Sequence, residues 1–141
     1  MGAAQEAVVL EFIGAFRDSW PNDLDEPLAL LADDATYQVI VPITEPIRGR
    51  DAIKAEWLQM MERVTQQRHD MKAVGSNDTT VFTERVDHAE MNGHWASIPL
   101  VAVFELDSDN RITSWREYLD AGNVAAQHGM TLDELRSSVE Q

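Results

Sequence analysis

The sequence predicts an α+β domain in which helices come first and a run of antiparallel strands follows. Two stretches of apolar residues at helical spacing occupy the first half of the chain. A series of β-rich segments, divided by turn residues, occupies the second half. The chain has no internal repeat and no linker-like stretch, so we expect one domain over residues 1–141.

The first half begins with a predicted helix over Ala4–Ser19 that ends at Pro21-Asn22-Asp23. Its apolar stripe consists of Val9, Phe12, Ile13, Phe16 and Trp20. A short helix over Glu26–Leu31, with Leu28 and Leu31 facing inward, precedes a strand over Thr36–Val41. The prolines and glycine of Pro42–Gly49 predict a loop.

A third helix is predicted to open at Gly49-Arg50-Asp51. Its buried side would consist of Ile53, Trp57, Met60, Met61 and Val64. The strand patterns that follow are His69–Val74, Thr80–His88, Trp95–Leu106 and Ile112–Leu119. Turns at Gly75–Asp78, Asn92-Gly93 and Asp107–Asn110 make these strands an antiparallel meander.

The tail, Ala121–Gln141, is predicted to be partly helical, with Thr131 and Glu134 as a capping box. The order of helix, helix, strand, helix and curved meander is that of the nuclear transport factor 2-like fold, a cystatin-like roll. We therefore expect a cone-shaped, curved, mixed or antiparallel sheet packed with the N-terminal helices. This fold hosts many functions, so the function has to be inferred from the site.

Composition and charge narrow the classes of function. The formal net charge of -14 disfavours nucleic acid and anionic membranes as partners, since binding to either begins with neutralising negative charge. The absence of cysteine excludes disulfides and thiolate chemistry. The four histidines, His69, His88, His94 and His128, lack close ligand spacing, so we expect no metal site. Without a signal-peptide pattern or a membrane-length apolar segment, a cytoplasmic protein is expected.

Ionisable residues alternate along two of the predicted strands. Arg85 and Asp87 share one face of the first strand, and Trp115, Glu117 and Leu119 share one face of the last. If these faces are buried, an arginine between two carboxylates can satisfy all three groups and separate the two carboxyl pKa values. The alternative is a set of solvated cross-strand ion pairs that would also include Glu84 and Arg116.

Several segments resemble the limonene-1,2-epoxide hydrolase family. They are Thr83-Glu84-Arg85-Val86-Asp87, Val103-Phe104-Glu105-Leu106 and Ile112–Asp120, together with Tyr37-Gln38 and Gly49-Arg50-Asp51-Ala52. The resemblance runs from about Thr36 to Asp120. It implies cofactor-free, one-step addition of water to a small hydrophobic epoxide, which yields a vicinal diol.

The resemblance also implies roles for four residues. Asp87 would be the general acid that protonates the epoxide oxygen, and Arg85 would bridge the two carboxyl groups. Glu117 falls where the family has its base aspartate, and Tyr37 falls on the tyrosine that holds the water. The chain departs from the family twice: the base is a longer Glu, and Val39 stands where the family has a water-binding Asn.

The remaining expectations concern the pocket, the partner and one further acid. The resemblance makes Met60 and Val64 part of the pocket wall, which Ile98, Leu100, Trp115 and Leu119 would complete. Strand alternation places Asp120 on the face opposite Glu117, so we expect a helix-start or turn residue there. A homodimer is expected from the resemblance alone.

Two other functions stay open at this stage. One is a polyketide cyclase or ketosteroid isomerase-like enzyme, which also uses buried carboxyl groups but moves a proton next to a carbonyl. The other is a non-catalytic, dimeric module that binds a small ligand, for which the carboxylates should lie outside a dry apolar cavity. Whether Arg85, Asp87 and Glu117 meet inside one pocket distinguishes the two kinds of enzyme from the binding module.

Overall fold

The computed structural model describes residues 2–20 and 22–139. Its described helices are α1 (Ala3–Ser19), α2 (Asp25–Leu28), α3 (Arg50–Met61), α4 (Ala121–Gln127) and α5 (Leu132–Val139). Its described strands are β1 (Leu31–Gln38), β2 (Ile47–Arg48), β3 (Val64–Ser76), β4 (Thr80–Met91), β5 (His94–Leu106) and β6 (Ile112–Leu119). Pro21 and residues 140–141, which belong to the predicted helix stop and helical tail, lie outside the described residues.

Over these residues the strands form one open, curled sheet in the order β2-β1-β6-β5-β4-β3. Strands β1 and β6 are parallel, and every other neighbouring pair is antiparallel. The predicted α+β class with a curved, mixed sheet and N-terminal helices is therefore confirmed. The last strand of the chain, β6, lies between β1 and the antiparallel meander β3–β5.

An aromatic cluster joins the helices to the sheet. The ring of Phe12 on α1 lies 5.2 Å from Trp115, 6.1 Å from Phe104 and 6.2 Å from Trp57. The predicted stripe of α1 is buried at Val9, Phe12, Ile13 and Phe16. Large aromatic surfaces supply much of the apolar area that folding removes from water, so this cluster fixes α1 and α3 over one face of the sheet.

The boundaries of several elements differ from those predicted. Strand β1 begins at Leu31 and ends at Gln38, and the acidic pair Asp33-Asp34 is accommodated because both residues face solvent beside a register shift. The short helix stops at Leu28 because Leu31 already pairs with Ile112 of β6. The predicted loop 42–49 contains the two-residue strand β2, which pairs with β1.

The meander strands are longer than their patterns indicate. Strand β3 begins at Val64, which was predicted on the third helix, and it continues through Gly75 and Ser76, which were predicted to form a turn. Most of its polar residues are exposed while its backbone pairs with β4, so the strand lacks a clear apolar alternation; Gln67 and His69 instead line a cavity. The predicted Asn92-Gly93 turn is confirmed, and both residues have positive φ, of 54° and 75°.

Two predicted helix starts in the tail are also confirmed. Asp120 caps α4 by accepting a hydrogen bond from the backbone N–H of Asn123 at 3.1 Å. Thr131 and Glu134 form the reciprocal capping box, with both hydrogen bonds at 3.1 Å. The tail therefore contains two short helices, of which α4 packs against α5 and β5.

Candidate active site

Strand alternation separates the charged residues of β4 and β6 onto two faces of the sheet. Arg85 is 4% exposed and Glu117 is 7% exposed. On the outer face, by contrast, Arg116 pairs with the half-exposed Glu105. A solvated cross-strand ion pair is thus found on the outer face, whereas Arg85 and Glu117 lie in the interior.

Three strands in register bring Arg85 and Glu117 together. Thr83 of β4, Ala102 of β5 and Glu117 of β6 lie opposite one another in a row across the sheet. Arg85 lies two residues along β4 from this row, on the same face. Because Ala102 is fully buried and has a small side chain, the arginine can extend across β5 towards Glu117.

The guanidinium of Arg85 binds both carboxyl groups. It donates to the two oxygens of Asp87 from Nε at 2.8 Å and from Nη2 at 3.2 Å. Its Nη2 also donates to Glu117 Oε2 at 2.5 Å, and its Nη1 donates to Thr83 Oγ1 at 3.1 Å. The sequence prediction that an arginine lies between Asp87 and Glu117 therefore agrees with the geometry, and Thr83 is an additional partner.

Burial sets the electrostatics of this group. Burial raises the pKa of Glu117 to about 7, and the negative charge of Asp87 adds to this shift. The positive charge of Arg85 acts in the opposite direction and lowers the pKa. Burial alone would lower the pKa of Arg85, but Glu117 and Asp87 offset it and keep the pKa above its ordinary value. The arginine is thus always charged, whereas Glu117 can gain or lose a proton near neutral pH.

Tyr37 lies beside this group on β1. Its ring stacks on Trp115 with centroids 3.8 Å apart and planes 15° apart, and Trp115 Nε1 donates to Glu117 Oε2 at 3.2 Å. Burial raises the pKa of Tyr37 well above its usual range, and the charge of Glu117 adds to the shift. The hydroxyl therefore stays neutral, so it can both donate and accept a hydrogen bond.

Two cavities meet at the carboxyl groups. The larger has a volume of about 210 Å³ and a mainly apolar wall that includes Tyr37, Asp87 and Glu117. Five of the predicted pocket residues line it, namely Met60, Val64, Ile98, Leu100 and Leu119. The smaller has a volume of about 120 Å³ and includes Arg85 and the sixth predicted residue, Trp115. The carboxylates thus lie inside the cavities, unlike the arrangement expected of a purely apolar binding module.

Sequence reasoning missed several residues of the larger cavity. The tail contributes Val124, His128, Met130 and Leu135, which close it from the side of α4 and α5. Helix α3 contributes Glu56, a buried acid flanked by the apolar residues of the predicted stripe. Position 56 falls on the buried side of α3, where an apolar residue is expected. The acid at this position was the feature of the sequence that could have indicated a functional residue.

The described part of the chain contains no cluster of three or more histidine or acidic residues able to hold a metal ion. Among the helices in that part, none combines the length and the apolar character that crossing a membrane requires. Arg85, Asp87, Glu117 and Tyr37 line the cavities together, and these groups can donate and accept protons. Other polar residues of the cavity walls include Gln67, His69, Glu56 and His128.

Comparisons with solved structures find proteins of the same fold. An LEH-like epoxide hydrolase from M. tuberculosis is 28% identical, with a TM-score of 0.74 and coverage of 87% of both chains. A SnoaL-like polyketide cyclase-type protein from Shewanella denitrificans OS-217 is 15% identical, with a TM-score of 0.79 over 90% of this chain and 98% of that one. At such low identity the second likeness concerns the fold alone.

A third structure is the epoxide hydrolase/cyclase-like enzyme SalBIII, described in pyran ring formation in the polyether salinomycin. It is 16% identical, with a TM-score of 0.73 over 83% of this chain and 91% of that chain, so it also shows the fold. The family model described as the limonene-1,2-epoxide hydrolase catalytic domain matches residues 3–129. Because this match spans most of the sequence, the chain belongs to the limonene-1,2-epoxide hydrolase family.

Proposed function

We propose that this protein hydrolyses a small hydrophobic epoxide to a vicinal diol, by direct attack of water and without a covalent intermediate. The observation that carries the proposal is Arg85 bridging Asp87 and Glu117 in the wall of a mostly apolar cavity. Family membership and the likeness to an LEH-like epoxide hydrolase support a hydrolase or related activity. The cavity of about 210 Å³ lies below the roughly 300–1,000 Å³ of sites for drug-sized ligands, which favours a small substrate.

The proposed reaction uses the form in which the carboxyl pair shares one proton, and it starts when that proton has moved from Glu117 to Asp87. Glu117 removes a proton from water, and the water oxygen forms a bond to one epoxide carbon. As the bond between that carbon and the epoxide oxygen breaks, Asp87 protonates the oxygen. The product is a diol, and the proton gained by Glu117 replaces the one lost by Asp87 after exchange within the pair or with solvent.

Each supporting group has a separate task in this reaction. Arg85 holds the two carboxyl groups at fixed positions and stabilises the ionised one through charge-assisted hydrogen bonds. Tyr37, with its neutral hydroxyl, would hold the attacking water. Glu117, with a pKa of about 7, is a stronger base than an ordinary carboxylate.

Replacement of each carboxyl group tests the proposal. Asp87→Asn and Glu117→Gln should fold and lose nearly all hydrolysis of a panel of terpene and cycloalkene epoxides. Glu117→Asp should lower it, because the shorter side chain no longer reaches the water. Glu105→Gln removes a carboxylate from the outer face and is the matched control, which should keep parental rates. A folded Glu117→Gln variant with parental activity would remove this residue from the mechanism.

Isotope labelling tests whether water attacks the epoxide directly. A single turnover in heavy-oxygen water should place the label in the diol and none in the protein. Label in Asp87 or Glu117, detected by mass spectrometry of peptides, would instead indicate an ester intermediate and contradict direct attack by water.

A second candidate is ring closure of a hydroxy-epoxide, in which a hydroxyl of the substrate takes the place of water. Val39 favours it, because this apolar side chain lines the larger cavity where the family has a water-binding Asn. The same base and acid would serve both reactions. Product mass separates them, since ring closure gives an isomer of the substrate and hydrolysis adds one water.

A further inference from the structure

The wall of the larger cavity contains a buried acid that the proposed reaction does not use. Glu56 on α3 is only 5% exposed. Its Oε1 atom is buried and has no hydrogen-bond partner among the described residues. Polar atoms buried in proteins are nearly always hydrogen-bonded, because an unpaired one loses its interaction with water without compensation. Because Glu56 also lines the larger cavity, a ligand there can supply a donor to its carboxyl group.

Glu56 lies close enough to the reacting groups for one small molecule to contact both. The same cavity of about 210 Å³ is lined by Glu56 from α3 and by Asp87 and Glu117 from the sheet. The charge of Glu56 also contributes to raising the pKa of Tyr37, after the larger effects of burial and Glu117. A ligand that fills so small a cavity touches the helix wall and the sheet wall together.

The surroundings of Glu56 select the kind of donor. Burial raises the pKa of Glu56, while the charge of Arg63 opposes this shift. Arg63 and His128 line the same cavity, so a cationic group would be placed beside an arginine. A neutral hydroxyl meets no such repulsion, and it can donate to a carboxyl oxygen whether that carboxyl group is protonated or ionised.

We propose that Glu56 accepts a hydrogen bond from a hydroxyl group of the substrate, which makes the substrate class small apolar epoxides that also carry a hydroxyl. This inference rests on the proposed function, because it concerns the substrate of the same site. Glu56 is a specificity residue here, since it contacts a part of the substrate that does not react. Sites built to bind a hydroxyl discriminate strongly against analogues without one, because the buried acceptor is then left unpaired.

Two epoxides that differ by one hydroxyl test the inference. α-Terpineol 1,2-epoxide carries its hydroxyl at the end of the molecule away from the epoxide, and limonene 1,2-epoxide has none. We expect the parent protein to favour the hydroxylated epoxide by about tenfold in kcat/KM, the range of one hydrogen bond. Glu56→Met, which keeps the length and removes the acceptor, should abolish this preference, so that the ratio of the two kcat/KM values falls from about ten to about one.

Two further variants separate recognition from structure. Glu56→Gln retains an oxygen that can accept, so it should keep most of the preference. Gln59→Met alters a half-buried residue of the same helix that does not line the cavity, and it should behave as the parent does. An equal loss on both epoxides with Glu56→Met would assign Glu56 to the reaction itself and overturn the inference.

Binding without turnover makes the test independent of catalysis. Calorimetry would compare α-terpineol with limonene, neither of which contains an epoxide. Tighter binding of α-terpineol by the parent, lost in Glu56→Met, supports the inference. Equal binding of the two ligands by the parent overturns it, even if epoxides are hydrolysed. Failure of the parent to hydrolyse either epoxide would instead refute the proposed function, and the binding preference would still decide the role of Glu56.

Discussion

Replacing Glu117 by glutamine should remove a specific part of the dependence of stability on pH. Burial raises the pKa of Glu117 from 4.5 to about 7 in the folded protein. Because the folded-state pKa is the higher one, the folded protein binds this proton more tightly than the unfolded chain does. The resulting stabilisation is complete below pH 4.5 and is lost as the pH rises through about 7.

The size of the effect follows from the two pKa values. The difference between 4.5 and about 7 corresponds to about 3 kcal/mol, since one pKa unit equals about 1.4 kcal/mol. Of this, about 2.5 kcal/mol is lost between about pH 5 and about pH 8. The net charge of -14 adds a general self-repulsion that also changes with pH. The informative quantity is therefore the difference between the parent and Glu117→Gln, in which that background cancels.

Urea unfolding, followed by tryptophan fluorescence at a series of pH values, gives the free energy of unfolding of each protein. The stability of the parent minus that of Glu117→Gln should fall by about 2.5 kcal/mol between about pH 5 and about pH 8. Glu105→Gln controls for the loss of one negative charge and should keep the parental dependence. Parallel curves for the parent and Glu117→Gln would refute the argument that burial controls the protonation of Glu117.

Three further predictions concern activity and packing. Because the reacting form carries one proton on the carboxyl pair, kcat/KM should fall as the pH rises through about 7, where burial of Glu117 makes the pair lose that proton, and a pH-independent profile would contradict the mechanism. Tyr37→Phe keeps the stacking on Trp115 but removes the hydroxyl that is proposed to hold water. Steady-state kinetics should show a fall in kcat of about 10–100-fold with little change in KM. An unaltered kcat would exclude the hydroxyl from the water site. Ala102→Leu overpacks a fully buried position beside Arg85. It should lower the free energy of unfolding by about 1–3 kcal/mol and reduce turnover. Parental stability of the variant would contradict the tight packing assigned to this position.

Much of the fold and the centre of the site could be predicted from the sequence, because these features depend on strong local patterns. The alternation in β6 gave its bounds, Ile112–Leu119, as the structure has them. The same period of two placed Arg85 and Asp87 on one face, and the structure joins them to Glu117. A hydrophobic period survives any reasonable packing, so such predictions are robust.

The parts that the sequence did not reveal depend on tertiary contacts. The segment Ala32–Ala35 belongs to β1 because the residues on either side of it, Leu31 and Thr36, pair with β6, whereas two consecutive acids carry no strand signal of their own. Nothing local in α4 and α5 indicates that Val124 and Leu135 close a cavity. The place of Glu56 was hidden for a similar reason: its burial follows from the docking of α3, and the pattern of the helix cannot reveal which cavity it borders.

The central position of β6 joins two groups of strands that each supply part of the candidate site. Arg85 and Asp87 come from the meander, and Tyr37 comes from β1, which meets the meander only through β6. A local opening that parts β1 from β6 would carry the tyrosine away while the β4–β5–β6 ladder keeps the arginine with both carboxyl groups. Such a partly opened state retains the charged bridge but loses the group proposed to hold water. Hydrogen exchange of the backbone amides between β1 and β6 would therefore measure how often the protein is in this state. In that state Arg85 still joins the two carboxyl groups, but Tyr37 cannot position the attacking water.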